Sequence, residues 1–202
     1  MHFVRREILV FLFTCFFCMP AMAISTGEMA PDFELKTYDG TPVKLSELKG
    51  KTVVLEWFNR GCPFVQKHYN SSHMQMLQNT YTEKGVVWLI INSTGKSNRD
   101  FLSEEDAKEL QDKWKIKSAR MLVDADGTVG HLYGAKATPH MFVVNAEGRL
   151  VYQGAIDDNP DIGNDPATAN NYVAKALDSI LENKEISTAT TKAYGCSVKY
   201  EG

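Results

Sequence analysis

Residues 53–67 read VVLEWFNRGCPFVQK, an apolar run that leads directly to a cysteine followed by proline. The run is apolar on both faces apart from Glu56, which predicts a central strand covered by helices on both sides. Pro63 suits the first turn of a helix, because its missing N–H would have no partner there. We therefore expect a strand that ends near Cys62 and a helix that begins there and runs to Tyr81.

Cys62 is the strongest candidate for a reactive group. Backbone N–H groups at a helix N-terminus lack partners and the helix dipole is positive there, so negative charge on sulfur is favoured. Cysteines in such positions are nucleophilic near neutral pH. The alternative is a buried cysteine that behaves as a small apolar side chain.

The beginning of the chain has the pattern of a cleavable secretory signal peptide. Arg5 and Arg6 precede an apolar run at 8–19, and a small-residue cleavage site ends at Ala23. The run is shorter than the roughly 18 residues that a membrane span needs. We expect cleavage after Ala23, export to the periplasm or an equivalent compartment, and no membrane attachment afterwards. Cleavage of residues 1–23 removes a net +1 and so changes the formal net charge from −3 to −4.

Beyond the leader, the sequence predicts one α/β domain over residues 24–186 and a polar tail over 187–202. The predicted order is hairpin, strand, helix, strand, helix, strand, hairpin and helix, which indicates an α/β sandwich around a mixed sheet. The segments are 31–35 with 41–45, 52–58, 62–81, 86–91, 103–113, 120–123, 141–144 with 149–153, and 171–181. A mildly acidic domain without a basic run gives no reason to expect nucleic-acid binding.

Cleavage of the leader would also remove two of the four cysteines, Cys15 and Cys18, and leave Cys62 and Cys196. Disulfides persist in an oxidising compartment, and two cysteines allow only one internal pairing. The sequence leaves open whether that disulfide forms.

The chain resembles the thioredoxin superfamily, and within it the exported redoxins grouped with alkyl hydroperoxide reductase and thiol-specific antioxidant proteins. The likeness covers residues 29–182. It is carried by APDF at 30–33, LSELKGK at 45–51, the junction of the strand with Cys62, and ATPH at 137–140. The resemblance implies a thioredoxin-like fold and thiol oxidoreductase activity without an organic cofactor or metal. It implies a protein thiol or disulfide, or a small peroxide, as the partner.

Several residues take roles from this resemblance. Cys62 matches the nucleophilic cysteine, and Pro139 matches a cis-proline whose loop faces it, with an ordinary trans proline as the alternative. Glu56 matches a carboxylate buried behind the redox site, which would have a raised pKa and pass a proton, unless it is purely structural. Thr138 would shape the substrate face together with Pro139, and Trp57 would form a wall of the site.

The chain also departs from the family pattern. Val65 stands where thioredoxins carry their second cysteine, so the usual local resolving thiol is absent. Peroxiredoxins have a proline and a hydroxyl residue shortly before their reactive cysteine, at positions held here by Leu55 and Asn59. We expect Asn59, Arg60 and His140 to stabilise the thiolate or a bound peroxide instead.

Cys196 offers a substitute for the missing thiol, although it lies 134 residues after Cys62. A mobile tail could return it to Cys62 as a resolving thiol, as C-terminal cysteines do in some peroxiredoxins. One alternative is a permanent disulfide that clamps the tail and stabilises the fold by up to about 5 kcal/mol. Another is a copper chaperone that binds the metal through Cys62, His140 and Cys196.

Overall fold

A mixed β-sheet forms the centre of the fold in the computed structural model, which describes residues 24–201. The predicted signal peptide lies outside those residues. The strands of the sheet are β1 (Glu34–Thr37), β2 (Pro42–Lys44), β3 (Val53–Trp57), β4 (Val87–Asn92), β5 (Arg120–Val123), β7 (His140–Val144) and β8 (Leu150–Gly154). A separate two-stranded pair consists of β6 (Ala137–Thr138) and β9 (Cys196–Ser197). The helices are α1 (Pro63–Asn70), α2 (His73–Thr82), α3 (Glu104–Trp114), α4 (Thr128–Tyr133) and α5 (Tyr172–Leu181).

The seven strands lie in the order β2-β1-β5-β4-β3-β7-β8. Strand β3 is central, parallel to β4 and antiparallel to β7, and every one of its residues is buried. Its apolar composition follows from this position, because both of its faces are covered. The predicted α/β sandwich around a mixed sheet is confirmed.

The two faces of β3 belong to two separate hydrophobic clusters. Val54 and Phe58 face a cluster that includes Cys62 and side chains of α1, α2, α3 and α5. Val53, Leu55 and Trp57 face a second cluster, built from the N-terminal hairpin and α4. Alternation along the strand therefore decides which side chains share a layer with Cys62.

The prediction of one continuous helix over 62–81 is wrong. The chain leaves the helix after Asn70, and Ser72 adopts a left-handed conformation with φ of 62° before α2 begins. Serine competes with the helix for backbone partners, and here the Ser71 hydroxyl donates to the carbonyl of His68 at 3.1 Å. The 3.6-residue pattern continued across the break because both helices bury a face against the same sheet.

The sequence left open whether the C-terminal tail is mobile or clamped, and in the structure it is docked against the fold. At the edge of β8, the backbone N–H of Gln153 donates to the carbonyl of Ala189, and its carbonyl accepts from the backbone N–H of Thr191. Later in the tail, β9 pairs with β6. Further along, the Tyr200 hydroxyl donates to the carbonyl of Ala135 at 2.8 Å. Helix α4 and strands β6 and β9 were not predicted, because each is too short to show a periodic pattern. Within residues 24–201, no helix has both the length and the apolar character to cross a membrane.

Candidate active site

Cys62 lies at the N-cap of α1, as predicted from Pro63. Its backbone N–H donates to the carbonyl of Asn59 at 3.2 Å, and its own carbonyl accepts from Gln66 at 2.9 Å, which starts the helix. The side chain is only 1% exposed. Its thiol donates to the carbonyl of Thr138 at 2.9 Å, so Cys62 contacts the segment that precedes Pro139.

The peptide bond between Thr138 and Pro139 is cis, which confirms that prediction. Thr138 is fully buried between the two cysteines. Its carbonyl accepts the hydrogen bond from Cys62, and its backbone pairs with Cys196 across the β6–β9 ladder. Thr138 and Pro139 therefore lie beside Cys62.

Cys196 lies directly opposite Thr138 in the antiparallel register, and both cysteines are free thiols. The hydroxyl of Thr138 donates to the Cys196 carbonyl at 3.5 Å. Partial burial, and then the neighbouring thiol of Cys62, raise the pKa of Cys196 to about 11. The structure thus brings together two residues that are far apart in the sequence.

Gly195 allows this close approach. Its φ of 128° belongs to a region that residues with a side chain rarely adopt. A Cβ at this position would overlap the carbonyl oxygen of Thr138, the same oxygen that accepts from Cys62. Glycine is therefore required immediately before Cys196 for the tail to pair with β6.

Glu56 is completely buried in β3. One carboxylate oxygen accepts from the Tyr69 hydroxyl at 2.8 Å, and the other accepts from Trp88 at 2.8 Å and Gln78 at 3.2 Å. Burial outweighs these hydrogen bonds and raises the pKa of Glu56 to about 7. The raised pKa agrees with the prediction, but the hydrogen bonds of Glu56 run to these three side chains and to neither cysteine.

Trp57 and His140 were predicted to face the substrate, and their placement requires a correction. The two residues pair across β3 and β7 and both point to the second hydrophobic cluster, on the face opposite Cys62. The Trp57 indole donates to Ser93, and the His140 ring lies 4.4 Å from the ring of Phe142. Burial lowers the pKa of His140 to about 4, so the ring is neutral at physiological pH. It therefore supplies no positive charge to a thiolate.

Asn59 and Arg60 precede Cys62 but have other partners. The Asn59 side chain donates to Thr94 at 3.0 Å and accepts from the backbone of Gly61 at 2.8 Å, which uses both ends of the amide. The Arg60 guanidinium pairs with Asp106 of α3 at 3.2 Å. These contacts tie the loop that leads to Cys62 to Thr94 and to α3.

Comparison with known protein families matches residues 26–153 of the chain to the AhpC/TSA family model. The chain belongs to the AhpC/TSA family. The matched segment contains Glu56, Cys62 and Pro139 but ends before the tail, so the family model says nothing of Cys196.

Individual relatives agree with this assignment. The thiol-disulfide oxidoreductase ResA of Halalkalibacterium halodurans is 27% identical over 125 residues, which cover 62% of this chain and 65% of that protein, just under two thirds of its length. The crystal structure of an uncharacterized conserved protein from Geobacillus kaustophilus is similar with a TM-score of 0.77 at 27% identity, over 91% of this chain and 97% of that one.

The thioredoxin domain of a thiol-disulfide oxidoreductase from Bacteroides vulgatus matches with a TM-score of 0.52 at 22% identity, over 65% of this chain and 89% of that one. At this identity the likeness concerns the fold alone. The thioredoxin-like fold expected for an AhpC/TSA family member is therefore confirmed.

The copper-binding alternative requires three ligands that the fold keeps apart. His140 faces the second hydrophobic cluster, whereas Cys62 belongs to the first. Across the part of the chain that the structure describes, no three His, Cys, Asp or Glu side chains are grouped as metal ligands would be.

Sequence reasoning missed a buried polar cluster beside the redox site, formed by His68, Asp157 and Tyr194. The Tyr194 hydroxyl donates to Asp157 at 2.5 Å and lies 3.2 Å from Nε2 of His68. Asp157 belongs to an acidic stretch at 157–161 whose composition is typical of a solvated loop, yet it is 1% exposed. The only sequence signal was a tyrosine two residues before the cysteine of an otherwise polar tail.

Proposed function

We propose that this protein is an exported thiol-disulfide oxidoreductase in which Cys62 is the nucleophile and Cys196 is its resolving partner. One observation carries the proposal: Cys196 lies opposite Thr138, whose carbonyl oxygen accepts the hydrogen bond of the Cys62 thiol. The proposal is further supported by membership of the AhpC/TSA family and by relatives named thiol-disulfide oxidoreductases. Export is inferred from the leader pattern of residues 1–23.

The proposed reaction has two exchange steps. The Cys62 thiolate attacks one sulfur of a partner disulfide, a mixed disulfide forms, and the other partner sulfur leaves as a thiolate. Cys196, after losing its proton, attacks the Cys62 sulfur, and the partner leaves with its second thiolate. The partner disulfide is thereby reduced and the Cys62–Cys196 pair is oxidised. A second thiol protein would return the pair to the reduced form, or the same steps would run in reverse.

Glu56 is proposed to carry a proton for these steps. A carboxyl with a pKa of about 7 is populated in both forms near neutral pH, as a proton carrier requires. It lies behind the site in β3, and its hydrogen bond from Tyr69 connects it to α1, the helix that Cys62 caps. Because none of its hydrogen bonds leads to a sulfur, Glu56 would exchange its proton with the site by way of bridging water rather than by direct contact.

The geometry favours a disulfide over a peroxide as the oxidant. The groups expected to bind a peroxide, Asn59 and Arg60, are engaged with Thr94, Gly61 and Asp106. His140 lies on the opposite face of the sheet. The Thr138 carbonyl is a hydrogen-bond acceptor, and a bound peroxide anion needs donors.

The proposal is tested by exposing the reduced mature protein, residues 24–202, to oxidised glutathione and mapping cysteine peptides by mass spectrometry. The wild type is expected to form a Cys62–Cys196 disulfide that dithiothreitol reduces readily. Cys196→Ser should accumulate glutathione on Cys62, because the second exchange is blocked. Cys62→Ser should lose the activity by at least about a hundredfold, because the nucleophile is absent.

Two outcomes would contradict the proposal. A Cys62–Cys196 link that resists dithiothreitol would show a permanent clamp of the tail. Glutathione attached to Cys196 in Cys62→Ser as fast as to Cys62 in Cys196→Ser would show that Cys62 has no special reactivity.

A further inference from the structure

Tyr194 enters a buried polar cluster two residues before Cys196. Its hydroxyl donates to Oδ1 of Asp157 at 2.5 Å, and the same oxygen accepts from the backbone N–H of Asn159 at 3.0 Å. Asp157 follows β8 and is 1% exposed, so its carboxylate depends on such donors in place of water. The tail therefore supplies a donor to Oδ1 of a buried carboxyl group of the core, which gives its position a defined energetic basis.

The hydrogen bonds of this cluster run in one direction. Burial lowers the pKa of His68 to about 3, so its ring is neutral. With its proton on Nε2, it donates to the Tyr194 oxygen 3.2 Å away, and the Tyr194 hydroxyl donates onward to Asp157. Burial and the Asp157 carboxylate raise the pKa of Tyr194, which keeps the hydroxyl protonated. A hydroxyl that accepts from one side and donates to the other is what this position requires.

The ring of Tyr194 also rests on α1. Phe64 lies 5.8 Å away between ring centroids, and the Lys67 ammonium lies 5.9 Å from the ring centre. Together with His68, these residues form one face of the helix that begins immediately after Cys62. The tail is thus located relative to the same rigid element that positions the nucleophile.

The contact of Tyr194 with Asp157 lies close to the Cys196 thiol along the chain. Only Gly195 stands between Tyr194 and Cys196, and its backbone packs against the carbonyl of Thr138. The next residue, Cys196, is held opposite Thr138 by the β6–β9 pairing. A displacement of the Tyr194 hydroxyl from Asp157 would therefore move the Cys196 thiol away from Cys62.

We propose that Tyr194 is a positioning residue of the redox site, which holds Cys196 within reach of Cys62 by binding the buried carboxylate of Asp157. This inference rests on the proposed function, since it concerns the pairing of the two thiols. Tyr194 raises the effective concentration of Cys196 at Cys62, although its hydroxyl bonds to His68 and Asp157 and to neither sulfur. Holding reacting groups in place accelerates a step by removing the entropy of their encounter.

The test measures that effective concentration from the equilibrium of the mature full-length protein with glutathione. In this equilibrium, the dithiol and one oxidised glutathione give the Cys62–Cys196 disulfide and two reduced glutathiones. Tyr194→Phe keeps the ring on α1 but removes the hydroxyl. Because one hydrogen bond to a charged group is lost, we expect the equilibrium constant to fall by about tenfold or more.

Three further variants separate positioning from general destabilisation. Tyr133→Phe removes a buried hydroxyl that donates to Pro31 in the second cluster, and it should leave the equilibrium constant unchanged. Asp157→Asn keeps an oxygen acceptor and should retain most of the wild-type value. In a Cys196→Ser background, Tyr194→Phe should not slow disulfide exchange at Cys62 with oxidised glutathione, because only the second thiol depends on the anchor.

An equilibrium constant for Tyr194→Phe equal to that of the wild type would overturn the inference, since it would show that β9 and Tyr200 hold Cys196 in place without Tyr194. Failure of the wild type to form a Cys62–Cys196 disulfide at all would instead overturn the proposed function. The two failures are therefore distinguishable in one experiment.

Discussion

Cys62 and Cys196 carry the same side chain in very different surroundings. Cys62 is buried at the start of a helix, where unpartnered backbone N–H groups can stabilise a negative charge. Cys196 is partly exposed in a two-residue strand and has the Cys62 thiol as its neighbour. This difference in local environment, rather than the residue type, is the basis for the proposed roles of nucleophile and resolving thiol.

The raised pKa of Cys196 predicts how the rate of its alkylation depends on pH. Only the thiolate is alkylated, so the rate of Cys196 alkylation in the reduced protein should rise with pH around a midpoint near 11. In Cys62→Ser the midpoint should fall, because the neighbouring sulfur of Cys62 is gone, but stay above the ordinary value because burial remains. Quantitative alkylation followed by peptide mapping measures both. A wild-type midpoint at or below the ordinary value of about 8.5 would contradict the prediction.

Among the elements, the tail and α1 determine the geometry of the site together. Helix α1 has Cys62 at its N-cap and carries Phe64, which packs against Tyr194. Strand β9 brings Cys196 to the segment before Pro139. Neither β6 nor β9 is long enough to be stable alone, since each has two residues. Their pairing therefore depends on the contacts that Tyr194 and Tyr200 make on either side of β9.

Gly195→Ala should disrupt this pairing. The substitution places a Cβ on the Thr138 carbonyl and forces a residue with a side chain into a left-handed region. At a cost of at least 1–2 kcal/mol, amide hydrogen exchange in residues 196–201 should accelerate about tenfold or more. Alkylation of Cys62 should also become faster, because the tail covers it.

Gly40→Ala provides the matched control. Gly40 also has a positive φ, of 84°, but no other atom lies within 4 Å of the Cβ that would be added. The Gly40→Ala variant should be strained to a similar degree in the β1–β2 turn, but amide hydrogen exchange in residues 196–201 should be unchanged. Equal protection of the tail in Gly195→Ala and in the wild type would mean that the glycine is not required for docking.

At the scale of the whole molecule, a buried carboxyl makes stability depend on pH. Glu56 has a pKa of about 7 in the folded protein, against an ordinary value of 4.5 for glutamate. The folded protein binds a proton at such a group more tightly than the unfolded protein does. The resulting stabilisation is fully present below the pKa of the unfolded state and is lost as pH rises through the pKa of the folded state. The contribution lost between those values is about 3 kcal/mol.

Glu56→Gln should remove this dependence, since the amide does not titrate. Buried His68 and His140, with lowered pKa values, impose the opposite slope below about pH 6.5 on both proteins. The difference in unfolding free energy between wild type and variant therefore isolates Glu56. From about pH 4 to about pH 8 it should shift by about 3 kcal/mol in favour of the variant. A difference that stays constant with pH would show that Glu56 remains ionised in the fold.

Sequence patterns alone predicted the central strand and the helix start at Cys62, and the resemblance carried by short motifs implied the AhpC/TSA character and the cis-proline after Thr138. These features depend on local patterns: apolar runs, a proline in the first helical turn and short motifs in a fixed order. The same local signals misplaced Trp57 and His140. The alternation along a strand separates two faces but does not say which face the helix after Cys62 will cover.

The position of the tail and the contacts of Tyr194 depend on tertiary packing and could not be predicted from the sequence. The partners of the tail, Asp157, His68 and Thr138, are distant in sequence and come together when the sheet and α1 are packed. A polar residue shows no periodic signal, so its burial follows from the partner that satisfies it. For the same reason, Cys196 became a defined neighbour of Cys62 only when the chain had folded around both.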